Sequence, residues 1–205
     1  MTQNTAAAFD WVPFYNMVAN SGASKLLTEA LSIINKDVSA TTPGYAVDLG
    51  CGEGRDTVEL LRLGWKVLAI DNTAEGIKRL LANSQAKGNK SLETRVASFA
   101  NETWSGANLV VALLALPYCP PADFPQVWKT ICNSLVPGGY VCVQFFGDQH
   151  QWAQQSFITS FTKQQVIDLF DDYSFRKFEE RQTTGTGADG STVTVHDFNI
   201  IAKHN

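Results

Sequence analysis

No segment of this sequence is apolar for long enough to cross a bilayer, and its opening residues, Met1-Thr2-Gln3-Asn4, lack the charged start and apolar stretch of a secretory signal. A cytoplasmic chain with no membrane partner is expected. Basic residues are in the minority, 16 Lys and Arg against 20 Asp and Glu, for a net charge of −4. Nothing would draw a polyanion in over long range, and no nucleic-acid partner is expected. Cysteine is scarce: Cys51, Cys119, Cys132 and Cys142 form no CxxC pair. They read as small reduced core residues, which points to a reducing compartment. His150, His196 and His204 are too scattered to predict a metal site. With no repeat, low-complexity tract or domain break, the expectation is one domain over residues 1–205, with 1–22 as a candidate lid segment.

What is present is a regular alternation of strand and helix signals. A helix is expected from Ala23 to Lys36, capped by Ser21 or Ser24, with a turn at Thr41-Thr42-Pro43-Gly44. Tyr45–Leu49 reads as a strand, Arg55–Leu63 as a helix stopped by Gly64, Lys66–Ile70 as a strand and Thr73–Ala86 as a helix. A weak strand follows at Thr94–Ser98, then an apolar strand at Asn108–Leu114, a helix at Phe124–Leu135 and an apolar strand at Tyr140–Phe146. Strands apolar on both faces, alternating with helices, predict a parallel sheet covered on both sides. The end breaks the rule. After a helix at Thr162–Phe170, Phe175–Gln182 and Ser191–Ala202 read as strands joined by the glycine-rich Thr184–Gly190, hence an antiparallel hairpin.

The first strand runs into Asp48-Leu49-Gly50-Cys51-Gly52-Glu53-Gly54-Arg55-Asp56, three alternating glycines with a helix starting at once. Each glycine lets a ligand lie against the backbone. A strand, a glycine turn, a helix and an acid about twenty residues on (Asp71) is nucleotide-site logic. The spacing is not GxGxxG, however, and Arg55 holds the place of the third dinucleotide glycine. Glu53 and Asp56 place negative charge at the helix start, where a pyrophosphate needs the positive end. The turn suits a phosphate-free nucleoside better than NAD.

Val47-Asp48-Leu49-Gly50-Cys51-Gly52-Glu53-Gly54 resembles motif I of the class I S-adenosylmethionine (SAM)-dependent methyltransferases. Ile70-Asp71, the Pro137-Gly138-Gly139 turn and the closing hairpin resemble that family's later motifs, in order, over about Ala23–Lys203. The stretch Leu63–Asp71 is most similar to the tellurite-resistance and thiopurine-type small-molecule branch. The resemblance implies an α/β fold with a Rossmann-like, seven-stranded, mostly parallel sheet, its last strand antiparallel and helices on both faces. It also implies SAM as cofactor and a small-molecule acceptor. Gly50, Cys51, Gly52 and the Gly54 backbone would wrap the methionine part. Asp48 would orient the loop and, directly or through water, the ammonium. Asp71 would hold the ribose, Asn72 would pack beside adenine, and Ser98 and Phe99 would lie against it. Ser98 stands where the family often has Asp. Leu114 to Tyr118 would line the meeting place of donor and acceptor.

Methyl transfer from a sulfonium needs alignment and exclusion of water, and a base only if the acceptor must lose a proton. For Asp48, touching ligand and holding the turn stay open alternatives. Arg55 could reach the methionine carboxylate or sit in an ion pair. Phe9, Trp11, Phe14 and Tyr15 read as a lid over the cleft, or as packing for the amino end. Trp11, Tyr15, Tyr118 and Trp152 are the candidate substrate contacts. His150 and Tyr118 are the candidate catalytic groups, with an exposed loop histidine as the alternative for His150 and a structural role for His196. Two other readings stay open: a non-catalytic SAM-binding or protein-interaction module, and a nucleotide-dependent oxidoreductase.

Overall fold

In the computed structural model, which describes residues 9–19, 21–37 and 43–205, one sheet organises the chain. Strands β1 (Tyr45–Leu49), β2 (Lys66–Asp71), β3 (Leu92–Val96), β4 (Ala107–Ala112) and β5 (Leu135–Gly147) are parallel, and the order across the sheet is β3-β2-β1-β4-β5-β8-β7. The hairpin strands β7 (Tyr173–Thr186) and β8 (Thr192–His204) complete it, with β8 antiparallel to both β5 and β7. The seven expected strands are joined by a two-residue β6 (Ser160–Phe161), which pairs with the end of β5.

Alternation along the central strands sorts their side chains into two cores. Val47, Leu49, Leu68, Ile70, Val110 and Val141 face one way, onto Phe124, Val127 and Ile131 of α5 (Phe124–Ser134) and Val166 of α6 (Lys163–Asp168). Ala46, Val67, Ala69, Leu109, Val111 and Cys142 face the other. They meet Leu27 and Leu31 of α2 (Lys25–Asp37), Leu60 of α3 (Arg55–Arg62) and Leu80 of α4 (Ala74–Ala82). The chain runs outward through β1, β2 and β3, then returns to lay β4 against the other edge of β1. That reversal opens a crevice beyond the carboxyl ends of β1 and β4, where open α/β sheets hold ligands.

Several elements differ from the sequence reading. Residues Val12–Val18 form a helix, α1, that was not expected; Pro13 suits its first turn, and the Asp10 carboxylate accepts the Val12 N–H. Strand β3 lies two residues earlier than expected. Strand β5 begins at Leu135 rather than Tyr140, because the Pro137-Gly138-Gly139 turn is absorbed as an irregularity opposite Ala107–Leu109. The hairpin strands are longer than expected and pair from Tyr173–His204 to Thr186–Thr192. As expected, Thr162 caps α6, in a capping box with Gln165. Residues 1–8 and 20 of the candidate lid segment and the Thr41-Thr42 half of the expected turn lie outside the described residues. Among the described residues no helix is long and apolar enough to cross a membrane, and the four cysteines are free thiols.

Candidate functional site

The glycine turn is held by the acids around it. Gly50 and Cys51 donate their N–H groups to the Ile70 carbonyl. The Asp71 carboxylate, buried at the end of β2, accepts from the Gly52 N–H at 2.8 Å, the Thr73 N–H at 2.8 Å and the Thr73 hydroxyl at 2.6 Å. Asp71 therefore clamps the turn to the start of α4 and keeps about one of its roughly four acceptor positions for anything else. Asp48 is buried beneath the turn and accepts from the Thr57 hydroxyl at 2.5 Å. Burial, reinforced by the nearby Asp56 carboxylate, pushes Asp48 up to about 7. Asp56 binds the Ser24 N–H at 2.7 Å and the Arg55 guanidinium at 3.0 Å, tying α2 to α3.

Helix α1 lies over this turn. Tyr15 is buried against Gly52, whose φ is +53° and where a Cβ would stand 3.0 Å from Tyr15 Cε1. Its hydroxyl is 2.7 Å from Thr73 Oγ1; since that threonine spends its proton on Asp71, Tyr15 is the donor. Arg79 covers the Tyr15 ring and donates to Asn16 Oδ1, so α1 is fastened to α4. Under α1 lies a cleft of about 810 Å³ of empty space, partly open to solvent, lined by the turn, Asp48, Glu53, Arg55, Asp56, Asp71, Asn72, Phe99, Leu113, Leu114 and Ala115. Glu53, Asp56 and Asp71 against the Arg55 guanidinium leave the cleft acidic even with Asp48 protonated, which favours a cation. Arg55 Nε, buried beside it, has no hydrogen-bond partner.

A second chamber, about 820 Å³ by the same measure, adjoins the cleft and shares Trp11, Phe14, Leu114 and Tyr118 with it. Phe146, Trp152 and the inner face of the β7–β8 hairpin form its other walls. Tyr118 meets Trp11 edge-on at 4.7 Å and Phe146 at 5.8 Å. His150 is buried, stacked on Phe146 at 3.7 Å between ring centres. The Trp152 N–H donates to His150 Nδ1 at 3.1 Å, so the neutral ring carries its proton on Nε2. Burial holds the His150 pKa below its ordinary value. Arg181 grips the buried Asp197 through two bonds, 3.0 and 2.6 Å, and Gln144 donates to Asp197 at 2.9 Å. Where cleft and chamber meet, Leu114 has φ +55°, a strained conformation for a leucine.

The profile of the tellurite resistance protein TehB family matches residues 23–196, most of the chain. The chain belongs to the TehB family. Among curated proteins it is 22% identical over 193 residues to the probable S-adenosyl-L-methionine-dependent methyltransferase TehB of Haemophilus influenzae (strain 10810), covering 92% of this chain and 64% of that protein. It is 22% identical over 183 residues to hemagglutinin 1 of Eikenella corrodens, covering 86% and 60%. The chain thus spans less than two thirds of the length of these relatives. The crystal structure of TehB from Haemophilus influenzae superposes with a TM-score of 0.74 at 17% identity, covering 96% of this chain and 68% of that one. The resemblance drawn from the motifs stands at the level of family and fold.

In this TehB-family chain the sequence-picked residues divide. Asp48, Gly50, Cys51, Gly52, Arg55, Asp71, Asn72, Phe99 and Leu114 all line the cleft. Gly54 and Ser98 do not. Gly54, at φ +88°, begins α3 where a Cβ would fall 2.3 Å from Leu80 Cδ1, so the third glycine serves helix packing. Ser98 is exposed, ahead of the short helical turn Phe99–Asn101, and Phe99 alone of the pair reaches the cleft. Trp11, Tyr118 and Trp152 meet in the chamber, but Tyr15 sits on the cleft side, over Gly52. His150 is not an exposed loop residue, and its tautomer makes it a donor rather than a base. Tyr118 is pushed up by burial and keeps its proton. His196 is structural: it accepts from the Gln149 N–H and lies 3.2 Å from Glu180. Sequence reasoning missed Gln144, Phe146, Arg181 and Asp197; only the hairpin register, which pairs Arg181 with Asp197, would have revealed the last two.

Proposed function

We propose that this chain is a SAM-dependent methyltransferase that transfers a methyl group to a small-molecule acceptor by in-line displacement. The observation that carries the reading is the meeting of two unlike cavities at Leu114: an acidic, glycine-floored cleft at the β1/β4 switch point and an aromatic-walled chamber. The residues present fit the cofactor. The acidic lining suits its net positive charge, and the unpartnered Arg55 Nε supplies a donor for its carboxylate. When bound, SAM supplies a methyl group already activated on a sulfonium.

The chain's own tasks are then to bind, align and exclude water. Asp71 keeps the glycine turn in shape and would offer its remaining acceptor position to a ribose hydroxyl, and Asn72 and Phe99 would hold the adenine. Asp48 faces the cationic end and gives up its proton as the cation arrives. Helix α1 acts as the lid: Trp11 and Phe14 roof both cavities, and Tyr15 ties the lid to the clamp on Asp71. Acceptor and donor approach each other beside Leu114, whose strained backbone, costing about 1–3 kcal/mol, is kept at the point of transfer. The acidic start of α3 disfavours a dinucleotide in the same cleft.

The test is incubation with methyl-labelled SAM and a fractionated small-molecule extract. Label is expected in a low-mass product. SAM binding without any transfer of label would leave a non-catalytic SAM-binding module in place of an enzyme.

A further inference from the structure

We infer that the chamber beside the cleft is built for a planar, uncharged heteroaromatic acceptor, held by the His150 Nε2–H and methylated on a ring atom that already carries a free lone pair. The inference rests on the methyl-donor reading above and adds to it the class of acceptor.

Three observations converge on it. One side is aromatic, formed by Trp11, Phe14, Tyr118, Phe146 and Trp152, against a hairpin side that carries Thr183, Thr184 and Thr186; Trp152 is backed by the hairpin tip, where a Cβ on Gly187 would come within 2.7 Å of its ring. Aromatic walls bury and stack a ring and leave an aliphatic or strongly hydrated ligand poorly served. The chamber also has no cation to spare among the described residues. Its Arg181 is held in two bonds by Asp197, with Gln144 on the same carboxylate. An oxyanion there would meet a guanidinium whose charge is already offset, with the buried Asp197 carboxylate repelling it from beside the pair. Lastly, no lining group is free to act as a base: the Asp197 carboxylate is taken up by Arg181 and Gln144. The Tyr118 phenol keeps its proton, and a proton arriving at His150 Nδ1 would confront the Trp152 N–H.

What His150 offers is a single fixed donor. Nε2–H has no partner among the described protein groups, and stacking on Phe146 fixes the ring plane, so it suits a carbonyl or similar acceptor on the ring's edge. The transfer then balances without a base. The ring's lone pair forms the new bond to the methyl carbon as the carbon–sulfur bond breaks. Sulfur keeps that electron pair and becomes a neutral thioether, and the positive charge passes to the ring. Aromatic faces on several sides stabilise the charge as it arrives.

Binding of four probes, followed by tryptophan fluorescence with and without S-adenosylhomocysteine, tests this. The probes are 3-acetylquinoline (ring nitrogen and carbonyl), quinoline (ring nitrogen only), 2-acetylnaphthalene (carbonyl only) and tellurite, the oxyanion in the family's description. The three ring compounds are expected to bind, and with SAM only the two quinolines should gain a methyl group, on nitrogen. His150→Leu should weaken 3-acetylquinoline about tenfold, the loss of one hydrogen bond, yet change quinoline less than about twofold. His150→Gln, which keeps a donor, should restore most of the difference. Because His150 lies outside the cleft, S-adenosylhomocysteine affinity reports that both variants are folded. Tellurite binding that depends on Arg181, with no ring compound bound, would overturn the inference. So would equal losses of both quinolines in His150→Leu. Ring binding without S-adenosylhomocysteine binding would sink the donor reading alone; the reverse pattern would sink this one alone.

Discussion

Gly54→Ala is expected to destabilise the protein by about 2–5 kcal/mol, although Gly54 touches neither cavity. Two costs add. At φ +88° an alanine is held in a left-handed conformation, worth about 1–2 kcal/mol. The new methyl would stand 2.3, 3.0 and 3.1 Å from Cδ1, Cγ and Cβ of Leu80, which is fully buried in the core between α3 and α4 and has no solvent to swing into. Overpacking of that kind costs about 1–3 kcal/mol. Urea denaturation followed by tryptophan fluorescence measures the sum. Leu80→Ala alone should cost about 2–5 kcal/mol by opening a cavity. In the double variant the new methyl enters the vacated space, so the combined loss should fall short of the two single losses added together by more than about 1 kcal/mol. A Gly54→Ala loss under about 0.5 kcal/mol, or strict additivity with Leu80→Ala, would refute the packing role.

Asp48 offers a pH test. Its carboxyl titrates near 7 in the folded protein and near 4 when unfolded, so the folded state binds the proton more tightly in between. That contribution is full below about pH 4 and is lost as pH rises through 7; Asp48→Asn should flatten the fall in stability over that range by roughly 3–4 kcal/mol, measured by denaturant titrations at several pH values. Arg181→Leu should cost about 2–3 kcal/mol by leaving the buried Asp197 with Gln144 alone, and Asp197→Leu in the same chain should recover much of it; equal stability of all three proteins would remove the pair from the account. Thiol titration should find Cys142, fully buried in the sheet, inert until the protein unfolds, since burial pushes its thiol well up and the thiolate is the reactive form. Rapid labelling of Cys142 in native buffer would contradict its place in the core.

Most of the fold was legible because its signals are local. The runs 45–49, 66–70 and 108–114 are short, rich in apolar residues and bounded by turn signals, as covered parallel strands are, and the glycine turn follows the first of them directly. Helix α1 was not legible: seven residues give too short a period, and its aromatic side chains serve the cavities rather than a core stripe. The packing role of Gly54 was not legible because a ligand turn and a close helix–helix approach ask for the same residue. Asp71 and Asp48 were found, but their partners Thr73 and Thr57 were not, since a hydroxyl on a following helix carries no pattern of its own. The chamber floor depended on strand register. Arg181 and Asp197 lie opposite each other in a register set by β7 continuing past Gly185 to Thr186.

The most direct test of the central claim is calorimetry of the purified chain with SAM and, separately, with NAD. One SAM should bind per chain, near pH 7 with release of protons as the cation drives Asp48 to ionise, seen as a heat that depends on the buffer's own ionisation; NAD should give no binding heat. Binding of NAD with none of SAM would contradict the assignment of the acidic glycine cleft, and with it the proposed chemistry.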